Sequence, residues 1–262
     1  VQCVITSFFD STMNREDIFI GFGNYIELFQ DKVFLGALRN TVIIVVVSVP
    51  VVCVFSLWVS SVIHNLSGPL CSIFRCIFYL PVVTGSVAVT VVWKWMFNNY
   101  YGIFNYVGKA TGLIDQNINW LGDERYALGC IILILLTTSV GQPIVLYVSA
   151  LNNVDQSLVE AAQDLGANTT KTLLRVLIPM SVPGISTGIT MVFVPAVSTF
   201  VISRMLGGGS NLLIGDLIEM QFLGNSYNLN VGSAMSLVLM IIVLLCMSFT
   251  SSFDEDEMEG VS

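Results

Sequence analysis

Residues 41–63 read TVIIVVVSVPVVCVFSLWVSSVI, without one charged side chain. A run so long and so apolar leaves few folds open. A hydrocarbon layer ~30 Å thick is crossed by about 20 apolar residues in a helix. The full stretch, 37–63, meets that length, and so do 73–97, 128–151 and 182–204, with 233–249 as a fifth. Open strands cannot cross lipid, because their unpaired backbone groups find no partner there. Transmembrane barrels alternate apolar and polar residues over short segments, whereas these runs are continuously apolar. The predicted fold is all-α and integral to a membrane, with five visible spans.

Composition agrees. Of 262 residues 55% are hydrophobic and only 11% charged, where soluble domains carry about 25% charged residues. The net charge of -8 leaves no basic patch for nucleic acid. Much of it comes from the terminal DEDEMEG, with Asp254, Glu255, Asp256, Glu257 and Glu259, which reads as a solvated acidic tail over 254–262. The six cysteines form no C-x-x-C pair and several sit in apolar runs, so neither disulfides nor a metal site is expected. The lone His64 closes the first span and has no partner of metal-ligating type nearby in sequence. The opening VQCVITSFF reads as the outer end of an apolar segment already under way, and it runs into polar DSTMNRED without a small-residue cleavage pattern. The expectation is a truncated first transmembrane helix, followed by an extracytoplasmic segment to residue 36. A processed signal peptide is the weaker explanation.

Of seven prolines, Pro50, Pro81, Pro143 and Pro195 fall inside the spans. Each removes a backbone hydrogen bond and is expected to kink its helix. Broken helices of this kind surround transport pathways, although membrane helices also tolerate proline without one. The connection 98–127 and its flanks are rich in aromatics: Trp93, Trp95, Tyr100, Tyr101, Tyr106 and Trp120. These read as anchors at the headgroup level. In the connection 205–232, Gly207, Gly208 and Gly209 allow a turn, and Asn211 is a candidate cap for a short interfacial helix. Hydroxyls in the spans, together with Gln142, suit hydrogen bonds to a polar solute or between helices. Gln142, Ser198 and Thr199 are the candidate pathway residues.

One segment does not fit a purely apolar bundle. Residues 155–178 form a polar hairpin between two spans, and its charges exclude burial in hydrocarbon. Asp155 is a plausible N-cap. Leu158, Ala161, Ala162 and Leu165 follow helical spacing and make one apolar stripe. Gly166 can end the helix in a left-handed conformation. Thr169 or Thr170 can cap a second helix that carries Lys171 and Arg175 on one face. Helices this short are marginal alone. The small alanine face and the carboxylates of Glu160 and Asp164 suit a docking knuckle for a partner. A surface hairpin with no partner fits the same residues.

The stretch EAAQDLGANTTKTLLRVLIPMSVPGI is similar to the EAA motif of binding-protein-dependent ABC importer permeases, through Glu160, Ala161, Ala162, Gly166, Ile178 and Pro179. The resemblance covers nearly the whole chain. FIGFGNYIELFQDKVFLGALRNT, FYLPVVTGSVAVTVVWKWMFNNYYGIFN and INWLGDERYALG resemble carbohydrate permeases of that superfamily. EAAQDLGA and MVFVPAVSTFVISRMLGGGSNLLIGDLIEMQFLG are more similar to spermidine/putrescine permeases.

That resemblance implies a type I ABC importer transmembrane domain over 37–253 in a bacterial cell membrane. It implies ATPase subunits, a second permease subunit, an extracytoplasmic solute-binding protein and membrane lipid as partners. Glu160, Ala161, Ala162, Asp164 and Gly166 would form the cytoplasmic coupling element that seats in the ATPase. The solute would be a small polar nutrient, a carbohydrate first and a polyamine as the alternative. In this topology the cytoplasmic parts and their edge hold only Arg75, Lys171 and Arg175 of ten basic residues, so the positive-inside rule lends no support to the orientation. No G-x-x-x-x-G-K-[ST] occurs: GANTTKT lacks the glycine before Lys171. ATP binding by this chain, a cofactor, a metal and a catalytic residue are therefore not expected. A secondary transporter or channel subunit would carry internal repeats or intramembrane charges, and a membrane-embedded enzyme would need paired catalytic groups. The sequence displays neither.

Overall fold

The computed structural model describes residues 2–10, 18–197, 199, 201–206, 211–223 and 228–259, the side chains of Glu124 and of 249–259 excepted. The chain opens with α1 (Gln2–Thr6) and two short antiparallel strands, β1 (Phe9–Asp10) and β2 (Ile18–Phe19), paired Phe9 to Phe19. Helices follow: α2 (Gly23–Gln30), α3 (Lys32–His64), α4 (Gly68–Thr84), α5 (Ser86–Met96), α6 (Ile103–Ala110), α7 (Glu124–Ser139) and α8 (Gly141–Asn152). The polar hairpin comprises α9 (Gln156–Asp164), α10 (Thr169–Thr172) and a π-helical turn, Leu173–Leu177, leading into α11 (Ile178–Met180). The chain continues through α12 (Val182–Val197), α13 (Val201–Leu206), α14 (Ile214–Leu223) and α15 (Leu229–Glu259).

Lys32–His64 and Leu229–Ser248 are each long and apolar enough to cross a membrane alone. Three bent helix pairs also pass, Gly68–Thr84 with Ser86–Met96, Arg125–Ser139 with Gly141–Asn152 and Thr169–Met180 with Val182–Val197, which gives up to five spans among the described residues if each pair counts as one. The first expected span is therefore one unbroken helix, with Pro50 inside it. Its buried side chains recur every three or four residues, as at Phe34, Ala37, Thr41, Ile44 and Ser48, while Val46, Val54 and Trp58 on other faces stay exposed. An exposed apolar face that long suits lipid or a protein partner within it.

The other expected spans differ in their breaks. Span 73–97 is interrupted at Gly85, whose φ of 83° is open to glycine and costly to other residues. Span 128–151 breaks between Ser139 and Gly141. There Pro143 stands in the first turn of α8, where a missing N–H costs little. Span 182–204 divides into α12 and α13, with Pro195 inside α12. The last span begins at Leu229, and the helical backbone continues into the acidic tail as far as Glu259.

Two compact units are distinguishable. One comprises 1–47, 86–134 and 196–246; the other comprises 48–85, 135–195 and 247–262. The first has a core of Leu28, Phe34, Ala37, Ile214, Leu217, Ala234 and Met235. Its α14 does not start on Asn211, which is buried upstream of the helix. The Asp216 carboxylate instead reaches back to accept from the Leu213 N–H at 2.8 Å, half of a capping box. Thr41 Oγ1 accepts from the Ile214 N–H at 3.1 Å. Asp216 also accepts from the Ser203 hydroxyl, and Arg204 pairs with Glu219. Burial pushes the Asp216 carboxyl above its ordinary range, against the pull of the bonds from Ser203 and Leu213.

The aromatics around 98–127 serve two different purposes. Trp93, Phe97 and Phe104 stack in parallel, and Trp120 meets Phe104 edge-on. Asn105 ties this wall together: its amide NH2 donates to the carbonyls of Asn99 and Ile118, and its oxygen accepts from Ile118 N–H and Trp120 Nε1. Trp93 and Trp120 are thus half-buried, each with ring contacts inside the segment. Trp95, Tyr100, Tyr101 and Tyr106 remain exposed, as an anchoring role requires.

Candidate functional site

The hairpin α9–α10 lies wholly within the second unit. It follows α8 after a three-residue link, and each of its corners has a chemical cause. Asp155 caps α9: its carboxylate accepts from the Ser157 N–H at 2.9 Å. These bonds hold the Asp155 carboxyl below its usual range. At the far end Gly166 takes φ 81°. Its N–H bonds to the Gln163 carbonyl at 2.8 Å, and the Ala167 N–H bonds to the Ala162 carbonyl at 3.0 Å. This is the Schellman pattern, which returns two orphan carbonyls to hydrogen bonding.

The second corner departs from the expectation. Neither Thr169 nor Thr170 caps α10. Asn168 does, accepting from the Lys171 N–H at 2.9 Å. An amide oxygen one residue earlier reaches the third helical N–H, so the threonines fall inside the helix. Nor do Lys171 and Arg175 share one face of a continuous α-helix. The turn Leu173–Leu177 is π-helical, which shifts the register of everything beyond it. Pro179 supplies the reason: it has no N–H to donate, and its ring would strike the carbonyl of Arg175 in an α-turn. Widening the turn relieves both conflicts. Beyond Met180 the path bends by 74° into α12.

The face that the hairpin presents is unusual for a folded surface. Glu160, Ala161, Asp164 and Gly166 are exposed, with Ala162 half-buried. Leu158 is exposed, and Leu165 is 89% exposed. The apolar stripe predicted from spacing exists, but the chain does not cover it. Two leucines and two carboxylates are thus offered together on a short, doubly capped helix.

The candidate pathway residues fall in both units. Gln142 is half-buried at the start of α8, in the second unit. Thr199 is half-buried between α12 and α13, in the first. Ser198 lies outside the described residues. No group of three or more metal-ligating side chains occurs among the described residues.

Gly184 and Gly188 carry a signal that the reading from residues did not use: two small residues four apart in an apolar run, the spacing of closely approaching membrane helices. Both press on α8. A Cβ added at Gly184 would stand 2.4 Å from the Cβ of Ala150, and one at Gly188 would stand 2.3 Å from Tyr147 Cε1.

Comparison with known proteins adds the following. Residues 20–254 match the family described as binding-protein-dependent transport system inner membrane component. The lactose transport system permease protein LacF of Rhizobium radiobacter is 35% identical over 165 residues, 63% of this chain and 55% of that protein. The spermidine/putrescine transport system permease protein PotB of Haemophilus influenzae is 34% identical over 166 residues, again 63% of this chain and 56% of the relative. Each match thus spans little more than half of the relative's length. A crystal structure of a bacterial alginate ABC transporter, in complex with alginate pentasaccharide-bound periplasmic protein, superposes with a TM-score of 0.78. It covers 88% of this chain and 81% of its own at 19% identity, a likeness of fold.

Proposed function

This chain belongs to the family of binding-protein-dependent transport system inner membrane components, and from that premise we propose that its exposed hairpin is where a separate ATPase takes hold. As a permease subunit the protein is not itself catalytic. In this reading α9 seats in a cleft of the ATPase subunit on the cytoplasmic side. Glu160 and Asp164 make charge-assisted hydrogen bonds to it. Ala161 and Ala162 allow close approach, and Leu158 and Leu165 lose their exposure to water. Gly166 sets the turn. A second permease subunit completes the pathway, and an extracytoplasmic solute-binding protein delivers the solute.

The observation that carries this reading is the uncovered stripe: an 89% exposed Leu165 beside two carboxylates, on a helix capped at both ends. Exposed apolar surface rimmed by polar groups is a mark of protein interaction sites. Burial of one such leucine stabilises an interface by about 1.5–3 kcal/mol. We infer a carbohydrate as the solute. LacF, whose name specifies lactose, and the alginate transporter both point that way. PotB is a specific observation in favour of a polyamine, which stays as the second reading.

The test is ATP-driven uptake by proteoliposomes that hold this permease, its partner permease, the ATPase and the solute-binding protein. Lactose and spermidine serve as parallel probes. Uptake that requires ATP is expected, with lactose favoured over spermidine. A Glu160→Lys substitution should abolish uptake while leaving membrane insertion intact. Equal uptake by that variant would refute the coupling role.

A further inference from the structure

The polar hairpin is the closed end of a larger one. Its two arms are α8 and α12, which run antiparallel: Ala150 meets Gly184, and Tyr147, three residues back, meets Gly188, four residues on. Both contacts are at the root of the hairpin. Ala150 lies two residues before the end of α8, and Gly184 two residues after the start of α12.

These contacts have no slack. Between Gly184 and Ala150 no flexible side chain can yield, because the neighbour that a new Cβ would meet at 2.4 Å is itself a Cβ. Across from Gly188 stands Tyr147, 0% exposed and among the largest fully buried side chains, so its ring cannot swing aside. Packed interiors respond to displacement by moving as blocks, since close-packed surfaces transmit strain rather than absorb it.

The other faces of α8 are held as firmly. Toward α4, a Cβ at Gly141 would come within 2.4 Å of the Phe78 carbonyl oxygen and 2.9 Å of Tyr79 Cα, both backbone atoms. Toward α3, Ser60 Oγ donates to the Ile144 carbonyl at 3.2 Å, and His64 Nδ1 lies 2.7 Å from Asn152 Oδ1. All of these residues, and the hairpin, belong to the same compact unit.

We propose that Gly184 and Gly188, seated on Ala150 and Tyr147, are positioning residues for coupling: they clasp α12 to α8 so that any displacement of the hairpin turns both helices as one body. The proposal rests on the coupling role given to the hairpin above. Without the clasp, a push on α9 would be spent in shear between α8 and α12, and the bend at Met180–Val182 would absorb it. With the clasp, α8 carries the push on to α4 through Gly141.

Two measurements on the complete reconstituted transporter test this, with the six native cysteines replaced. The first joins the arms covalently. Ala150→Cys with Gly184→Cys brings together two Cβ atoms that must part by about 1.4 Å to reach disulfide geometry. Helices that move as one body tolerate the link, so oxidation should form it fully and leave ATP-driven lactose uptake at the rate of the reduced protein. Loss of uptake on oxidation, restored by dithiothreitol, would show that the arms must slide and would overturn the clasp. Failure of the link to form would overturn it too. The second measures uptake per ATP hydrolysed. Gly188→Val should lower that ratio roughly tenfold, as overpacking of a close contact forces the arms apart. Adding Tyr147→Leu should restore most of it, because the shorter side chain removes the atoms that the valine meets and still fills the contact between α8 and α12. A ratio unchanged in the single variant, or unrestored in the double, contradicts the proposal. Absence of uptake even in the cysteine-free parent, with Ala150 and Gly184 intact, would count instead against the importer reading itself.

Discussion

At the scale of single residues the hairpin depends on three local choices, and two of them titrate or strain in a measurable way. Gly166 at φ 81° occupies a conformation that costs other residues about 1–2 kcal/mol. A Cβ there meets nothing within 4 Å, so backbone strain alone is at issue. Gly166→Leu should therefore insert normally but lose ATP-driven uptake as the turn is pulled out of register. Gly166→Asn, the residue that best tolerates this region, should retain most of it. Radiolabelled uptake by vesicles compares the two. The two N-caps make a sharper pair. Asp155 caps with a carboxylate whose pKa is lowered by its bonds to Ser157, and Asn168 caps with an amide that does not titrate. A lowered carboxylate pKa contributes stability that is present above the ordinary value of about 3.9 and lost as pH falls through the lowered one. Hydrogen exchange at the Ser157 amide should therefore lose protection in that acid range, while the Lys171 amide keeps its own. Equal loss at both would contradict the assignment of the caps.

Element boundaries show what periodicity can and cannot report. The spans are legible because lipid demands long apolar runs, and Leu158, Ala161, Ala162 and Leu165 are legible as a stripe because helical spacing repeats. What escapes is anything decided by a competition. Asn168 and Thr169 are both good caps, and the fold uses the former. Pro179 announces a disturbance, but the choice between a kink and a π-turn depends on the room available around Arg175. Pro50 sits in an unbroken helix while Gly85 ends one, so proline content alone misplaces the breaks. Trp93 and Trp120 look like anchors by type yet are half-buried, Trp93 stacked on Phe97 and Phe104 and Trp120 donating to Asn105. The π-turn itself makes a prediction. Pro179→Ala supplies the missing N–H and removes the ring, which lets 173–180 wind as a plain α-helix. The register of the segment that joins the hairpin to α12 then shifts by one residue. Uptake per ATP hydrolysed should fall, while ATPase binding to α9 persists. A variant with full coupling would show that the π-turn has no mechanical role.

For the whole molecule the central proposal is that the exposed helix α9 receives force from another subunit. The fold and the family place the chain among importer permeases; the direction in which the hairpin faces is what the account adds, and charge counting gave it no support. Leu165, being 89% exposed, is the position at which to ask. A Leu165→Cys variant in a background without the six native cysteines can be treated with a membrane-impermeant maleimide, in right-side-out and in inverted vesicles, with and without the ATPase bound. Labelling is expected in inverted vesicles only, and so is its suppression when the ATPase is present. Labelling from the outer face, or labelling that the ATPase leaves untouched, would contradict it.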